Sequence, residues 1–202
     1  MNPLIDVPEN YLALGDSYTI GERVSEKDRF PVILAELLKD KNIAVNAPKI
    51  IAKTGWTTDE LKEAILKENI QEKYDLITLL IGVNNQYRGR SAEEFRTQFI
   101  DLLNVAIDFA NGIKKNVIVV SIPDWSVSPF AKNRDSEKIS SEIDTFNAIK
   151  KEETLKQAIT FVNITDISRT ALGKPEYFAD DGLHFSGLMH KLWVEEIIES
   201  HF

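Results

Sequence analysis

The chain has 202 residues, 43% hydrophobic and 28% charged, which is enough for one sizeable core and short for two independent domains. Its formal net charge is −8 with acids and bases interspersed, so no basic face is offered to nucleic acid or anionic lipid. It contains no cysteine, which excludes disulfides, thiolate zinc sites and a cysteine nucleophile.

The opening ten residues, MNPLIDVPEN, have neither the positive start nor the apolar middle of a secretory signal. That pattern fits a cytoplasmic protein, and equally an exported one whose signal has been removed. The first apolar run, Tyr11–Gly15, reads as a buried strand, and it ends in Gly15-Asp16-Ser17. Further short runs rich in Ile, Val and Leu place strands at Lys49–Lys53, Leu76–Ile81, Asn116–Ile122 and Thr160–Ile164. Helical spacing fills the intervals. Leu61, Ala64 and Ile65 mark a helix over 57–68 behind a Thr-Thr-Asp-Glu start. Phe95, Phe99, Leu102, Leu103 and Ala106 mark one over 91–110, opened by Ser-Ala-Glu-Glu and stopped by Asn111-Gly112. Residues 135–158 carry Ile139, Ile143, Phe146 and Leu155, and the last helix carries Leu188, Leu192, Val194 and Ile198. No apolar run reaches the ~18–20 residues of a membrane span, so no integral membrane contact is expected.

Strands alternating with helices predict βαβ crossovers and a parallel sheet covered on both faces, as one α/β/α domain over 1–202. In such sheets ligands sit outside the carboxyl ends of the strands. Ser17 lies at the carboxyl end of the first strand. Lys53–Thr57, Ile81–Gly89 and Ile122–Arg134 follow later strands, and Asp180–Gly187 precedes the last helix.

Asp181 and His184 are three apart, a spacing that puts both side chains on one face of a helical or near-helical turn. A carboxylate can then hold one imidazole nitrogen and leave the other free to take a proton from Ser17. A tetrahedral intermediate needs fixed donors, for which the sequence offers the backbone N–H groups of Ser17 and Gly55 and the side-chain amide of Asn84. Ser17 as a helix cap and Gly55 as an ordinary turn glycine are the plainer readings of those residues. Asp16 reads as a structural brace, since adjacent strand residues point to opposite sides. His190 and His201 read as surface histidines of the last helix. Trp56, Trp125 and Phe130 are candidates for a substrate pocket, because the loop 123–134 is long. Arg134, at its end, faces either an anionic group or solvent. Asn163-Ile164-Thr165 matches a glycosylation sequon but falls on an expected buried strand.

Gly15-Asp16-Ser17, Gly55, Gly82-Val83-Asn84 and Asp181-Gly182-Leu183-His184 together resemble the four sequence blocks of the SGNH-hydrolase superfamily, the GDSL-type esterases and lipases. The resemblance runs in the family's order from 11 to 187. It implies a three-layer α/β/α sandwich of flavodoxin-like type with a five-stranded parallel sheet. It also implies hydrolysis of carboxylic esters through an acyl-enzyme on Ser17, with His184 as base, Asp181 as its partner, and Ser17, Gly55 and Asn84 as oxyanion donors. No metal and no organic cofactor are implied. The substrate expected first is a short-chain acyl or lysophospholipid-type ester, then an acetylated sugar or a thioester, turned over by a monomer or dimer. Two positions depart from the family pattern: Asn85 stands where the third block more often has Asp, and Tyr18 where leucine more often follows the serine. Neither removes a group the mechanism needs, and Asn85 is expected to alter loop hydrogen bonding only.

Two other classes compete. A flavin- or nucleotide-binding module on the same fold would want a glycine-rich phosphate loop, and the chain has neither Gly-x-Gly-x-x-Gly nor a Gly-Lys-Ser/Thr loop. A non-catalytic binding protein of flavodoxin-like fold would not need all four groups, and all four remain.

Overall fold

The computed structural model describes residues 9–202. In chain order the elements are β1 (Tyr11–Gly15), α1 (Ser17–Ile20), α2 (Phe30–Asp40), β2 (Lys49–Ala52), α3 (Thr58–Glu68), β3 (Leu76–Leu80), α4 (Val83–Tyr87), α5 (Ala92–Phe109), β4 (Val117–Val120), α6 (Ser136–Lys156), β5 (Thr160–Val162), α7 (Thr165–Arg169) and α8 (Gly187–His201). The strands form one parallel sheet in the order β2-β1-β3-β4-β5. That is the flavodoxin-like order, whose switch point lies between β1 and β3. The protein is a three-layer α/β/α sandwich: α2 packs on α8 in one layer, and α5 packs on both α3 and α6 in the other.

Burial follows place in the sheet. Every residue of β1, β3 and β4 is buried, so those strands read as nearly continuous apolar runs. The edge strands β2 and β5 are partly exposed. One polar pair lies inside, with the Tyr11 hydroxyl 2.9 Å from Thr78 Oγ1.

Local signals set the helix ends. Ser91 accepts a hydrogen bond from the Glu94 N–H, and Thr57 and Glu60 close a capping box at the start of α3. The stop after α5 comes where the sequence places it, with Asn111 and Gly112 both at positive φ. α2 was not among the expected elements. Its Phe30-Pro31-Val32-Ile33-Leu34 start is a continuous apolar run, which carries no period by itself.

Four expectations about single residues need correction. His190 is buried, not superficial, with Nδ1 2.9 Å from the Asp28 carbonyl oxygen, and burial pushes its pKa down to about 4. Leu155 and Leu188 are exposed rather than part of the buried helix faces. Asn163 is exposed just past β5, with its amide donating to Asp166, and so lies off the strand.

Candidate active site

The exit from β1 is built by close packing. A Cβ on Gly15 would sit 2.1 Å from Thr19 Oγ1 and 2.3 Å from the Leu80 carbonyl oxygen, so only glycine lets β3 and the first turn of α1 approach here. Asp16 then acts as the N-cap of α1, its carboxylate accepting the Tyr18 N–H at 3.1 Å. The cap is therefore supplied by the acid, and Ser17 is the first helical residue with its hydroxyl released from that duty.

Ser17, Gly55, Asn84 and His184 line one cleft of about 200 Å³, together with Tyr18, Thr54, Val83, Tyr87, Trp125 and Leu183. The beginning and the end of the chain meet there. The ring of Tyr18, next to Ser17, lies edge-on to the His184 imidazole with centroids 5.9 Å apart.

Asp181 and His184 sit on an irregular turn rather than on a helix. His184 Nδ1 lies 2.6 Å from Asp181 Oδ2, and Asp181 Oδ1 accepts the N–H groups of Leu183 at 2.9 Å and of His184 at 3.0 Å. Burial opposes the charge on Asp181, but the hydrogen bonds from the His184 ring and the two N–H groups outweigh it and hold the carboxyl below its ordinary value. An ionised carboxylate only accepts, so Nδ1 is the donor and Nε2 is the nitrogen left free. Neighbouring Asp180 is exposed.

Gly55 has φ +87°, which makes it strained for any side chain, and its carbonyl oxygen accepts from the Arg88 guanidinium at 2.5 Å. Asn84 donates one amide hydrogen to the Trp56 carbonyl oxygen at 2.9 Å, which fixes the side chain and ties the loops after β2 and β3 together. Asn85 is fully buried behind it. Its Oδ1 accepts the Thr58 N–H at 3.1 Å and its Nδ2 donates to Thr58 Oγ1 at 2.7 Å, so it joins α4 to the start of α3. Of the three aromatics expected in a pocket, Trp125 lines the cleft, held by its indole N–H donating to Gln86 Oε1 at 2.9 Å. Trp56 contributes its carbonyl rather than its ring, and Phe130 is 41% exposed outside the lining, its ring 6.2 Å from that of Trp125.

The residue that sequence reasoning missed is Lys150. It is fully buried and donates to the carbonyl oxygens of Ile81 at 3.0 Å and Val120 at 2.8 Å, at the ends of β3 and β4. One helical turn earlier, Asn147 holds Ile122 through both its N–H and its carbonyl. Burial lowers the Lys150 pKa to about 7, against the charge of Asp16. Burial likewise raises the Asp16 carboxyl to about 7, opposed by the Tyr18 N–H, the Lys150 charge and the Gly82 N–H. The signal was present: Ile139, Ile143, Phe146 and Lys150 step by four, three and four along one face of α6. The apolar stripe continues into a lysine, not into Leu155.

Among the described residues no group of three or more histidines and carboxylates is arranged to hold a metal ion, and no helix is long and apolar enough to cross a membrane.

A serine at the switch point of a flavodoxin-like sheet, in one cleft with a carboxylate-bound histidine, fits the class of SGNH-type hydrolases. The pattern of the GDSL-like Lipase/Acylhydrolase family matches residues 13–192, and the chain belongs to that family of carboxylic ester hydrolases. Its fold is similar to that of TesA, with a TM-score of 0.73 at 16% identity, covering 95% of this chain and 97% of that one. It is similar to an acetyl-xylooligosaccharide esterase, Axe2 of Geobacillus Stearmophilus, with a TM-score of 0.72 at 17% identity over 97% of this chain and 96% of that one. A lipase/acylhydrolase from Enterococcus faecalis superposes with a TM-score of 0.67 at 18% identity, covering 94% and 93%. No curated protein matches the sequence.

Proposed function

We propose that the protein hydrolyses short-chain carboxylic esters through an acyl-enzyme on Ser17. The observation that carries this reading is the shared cleft: Ser17, Gly55, Asn84 and His184 face one space while Asp181 orients the imidazole at 2.6 Å. In this reading His184 Nε2 takes the Ser17 proton as Oγ attacks the ester carbonyl. The oxyanion is received by the N–H groups of Ser17 and Gly55 and the second amide hydrogen of Asn84. Collapse expels the alcohol, which takes the proton back from His184. Water, deprotonated by the same imidazole, then attacks acyl-Ser17; collapse breaks the bond to Oγ, His184 returns the proton to Ser17, and the carboxylic acid leaves.

Size argues for the acyl group. At about 200 Å³ the cleft is below the ~300–1,000 Å³ usual for drug-sized ligands. It suits an acetyl or other short acyl group, with the alcohol lying over the rim. A lysophospholipid or long-chain thioester would have to leave most of its chain outside.

The test is turnover of a short-chain chromogenic ester. Ser17→Ala should lose on the order of 10³-fold or more in kcat. A serine-directed fluorophosphonate should label the wild type but neither Ser17→Ala nor His184→Ala. Equal turnover by wild type and Ser17→Ala would end the reading.

A further inference from the structure

Beside the catalytic cleft lies a second, larger one of about 410 Å³, whose lining includes Ser126, Ser128, Lys132, Arg134, Lys174 and Phe178. It holds three cations and neither an aspartate nor a glutamate, in a chain whose net charge is −8. A locally positive pocket on an acidic protein selects anions by position, since the overall field repels them.

Arg134 is exposed, but ring contacts hold its guanidinium. Its guanidinium lies over the Phe130 ring at 4.7 Å, the Tyr87 ring at 5.4 Å and the Trp125 ring at 5.6 Å, and it donates to the Tyr87 hydroxyl at 3.3 Å. Among the described residues it meets no carboxylate. A planar guanidinium stacked in this way keeps its fork ordered, so little freedom is lost when a carboxylate or phosphate docks. Ser128 adds a second pointer: it is buried, and its hydroxyl has no hydrogen-bond partner among the described residues. A buried hydroxyl without a partner costs free energy that a bound oxyanion would offset.

The two clefts have separate linings that meet at Arg134. Tyr87 and Trp125, which carry Arg134, line the catalytic cleft. The segment between them reaches the catalytic turn as well, the Phe130 N–H donating to the Gly182 carbonyl oxygen at 2.9 Å.

We propose that this pocket is an anion subsite, in which Arg134, with Lys132 and Lys174, binds the carboxylate or phosphate group of an ester whose acyl group occupies the catalytic cleft. The inference rests on reading Ser17 as the nucleophile of that cleft, and it names the substrate class as anionic short-chain esters.

The test compares two short-chain esters of the same alcohol, one neutral and one bearing a carboxylate on the alcohol side. Wild type should favour the anionic ester in kcat/KM. The ratio of anionic to neutral should fall about tenfold or more in Arg134→Gln, the worth of one charge-assisted hydrogen bond. It should fall again in the exposed pair Lys132→Gln/Lys174→Gln, and stay put in Lys39→Gln at the C-terminal end of α2. Inorganic phosphate, at ionic strength fixed with sodium chloride, should bind Ser17→Ala by calorimetry and compete with the anionic ester alone. An unchanged ratio in Arg134→Gln overturns the proposal, as does phosphate binding that leaves the anionic ester's kinetics untouched. A wrong nucleophile would show itself separately, as turnover by Ser17→Ala, while phosphate binding is read without turnover.

Discussion

The two halves of the candidate active site are held by different physics. Around Ser17 the constraint is global. Gly15 is pressed between β3 and Thr19, Asp16 is fully buried against the field of Lys150, and the residues that fix the geometry come from β3, α4 and α6. Around His184 the constraint is local. Asp181 satisfies two backbone N–H groups and the imidazole within four consecutive residues, and the Ala179 N–H closes the turn on the His184 carbonyl at 2.8 Å. On the proposed roles, Ser17 must be placed to a fraction of an ångström against its oxyanion donors, so rigidity borrowed from the core suits it. His184 would have to accept and return a proton, and a half-exposed turn with its own hydrogen bonds suits that.

The contrast predicts opposite responses to substitution. Asp181→Asn should spare the fold and cost on the order of 10³–10⁴-fold in kcat, because an amide in place of the carboxylate favours the wrong imidazole tautomer. Stopped assays beside a thermal melt would separate the two effects, and a melt that drops as far as the activity would mean the turn is not self-contained. Gly15→Ala should do the reverse. The new methyl meets backbone that cannot give, so stability should fall by about 1–3 kcal/mol or more in denaturant titration, with activity lost through the fold. A variant as stable as wild type would show that β1 and β3 can part at their carboxyl ends.

The same division decides what could be read from the sequence. The alternating pattern exposed the five strands and four long helices, because each is written in its own residues: the capping box at Thr57–Glu60, the Ser91 cap, the Asn111-Gly112 stop. The Asp181–His184 spacing was legible for the same reason, though it closes a turn and not a helix. Non-local burial was not legible. His190 carries an ordinary helical neighbourhood in sequence, and only the packing of α8 against the Asp28 segment hides it. Lys150 continues an apolar stripe, but nothing local says that two strand-end carbonyls wait for its ammonium. Trp56 flanks a motif as Trp125 does, yet only the latter lines the cleft, while the Trp56 carbonyl holds the Asn84 amide. α2 shows a further limit, since an unbroken apolar run fits a strand and a buried helix equally.

The buried pair behind Ser17 gives the subtlest prediction, and it concerns pH. Burial raises Asp16 to about 7, so from about pH 4 upward the native state keeps a proton that the unfolded chain releases. That contribution to stability is complete below the unfolded carboxyl value and is lost as pH rises towards 7. Lys150 is depressed to about 7, so the native state gives up a proton that the unfolded chain keeps until about pH 10.5. Its contribution is complete above that value and is lost as pH falls towards 7. The two slopes oppose one another, and the stability of wild type relative to Asp16→Asn/Lys150→Met should pass through a minimum near neutrality and recover on both sides. Denaturant midpoints of both proteins from pH 4 to pH 10 measure the difference directly. A difference flat across that range would mean that water reaches the pair, and the support of Ser17 would then be far less global than the close packing at Gly15 suggests.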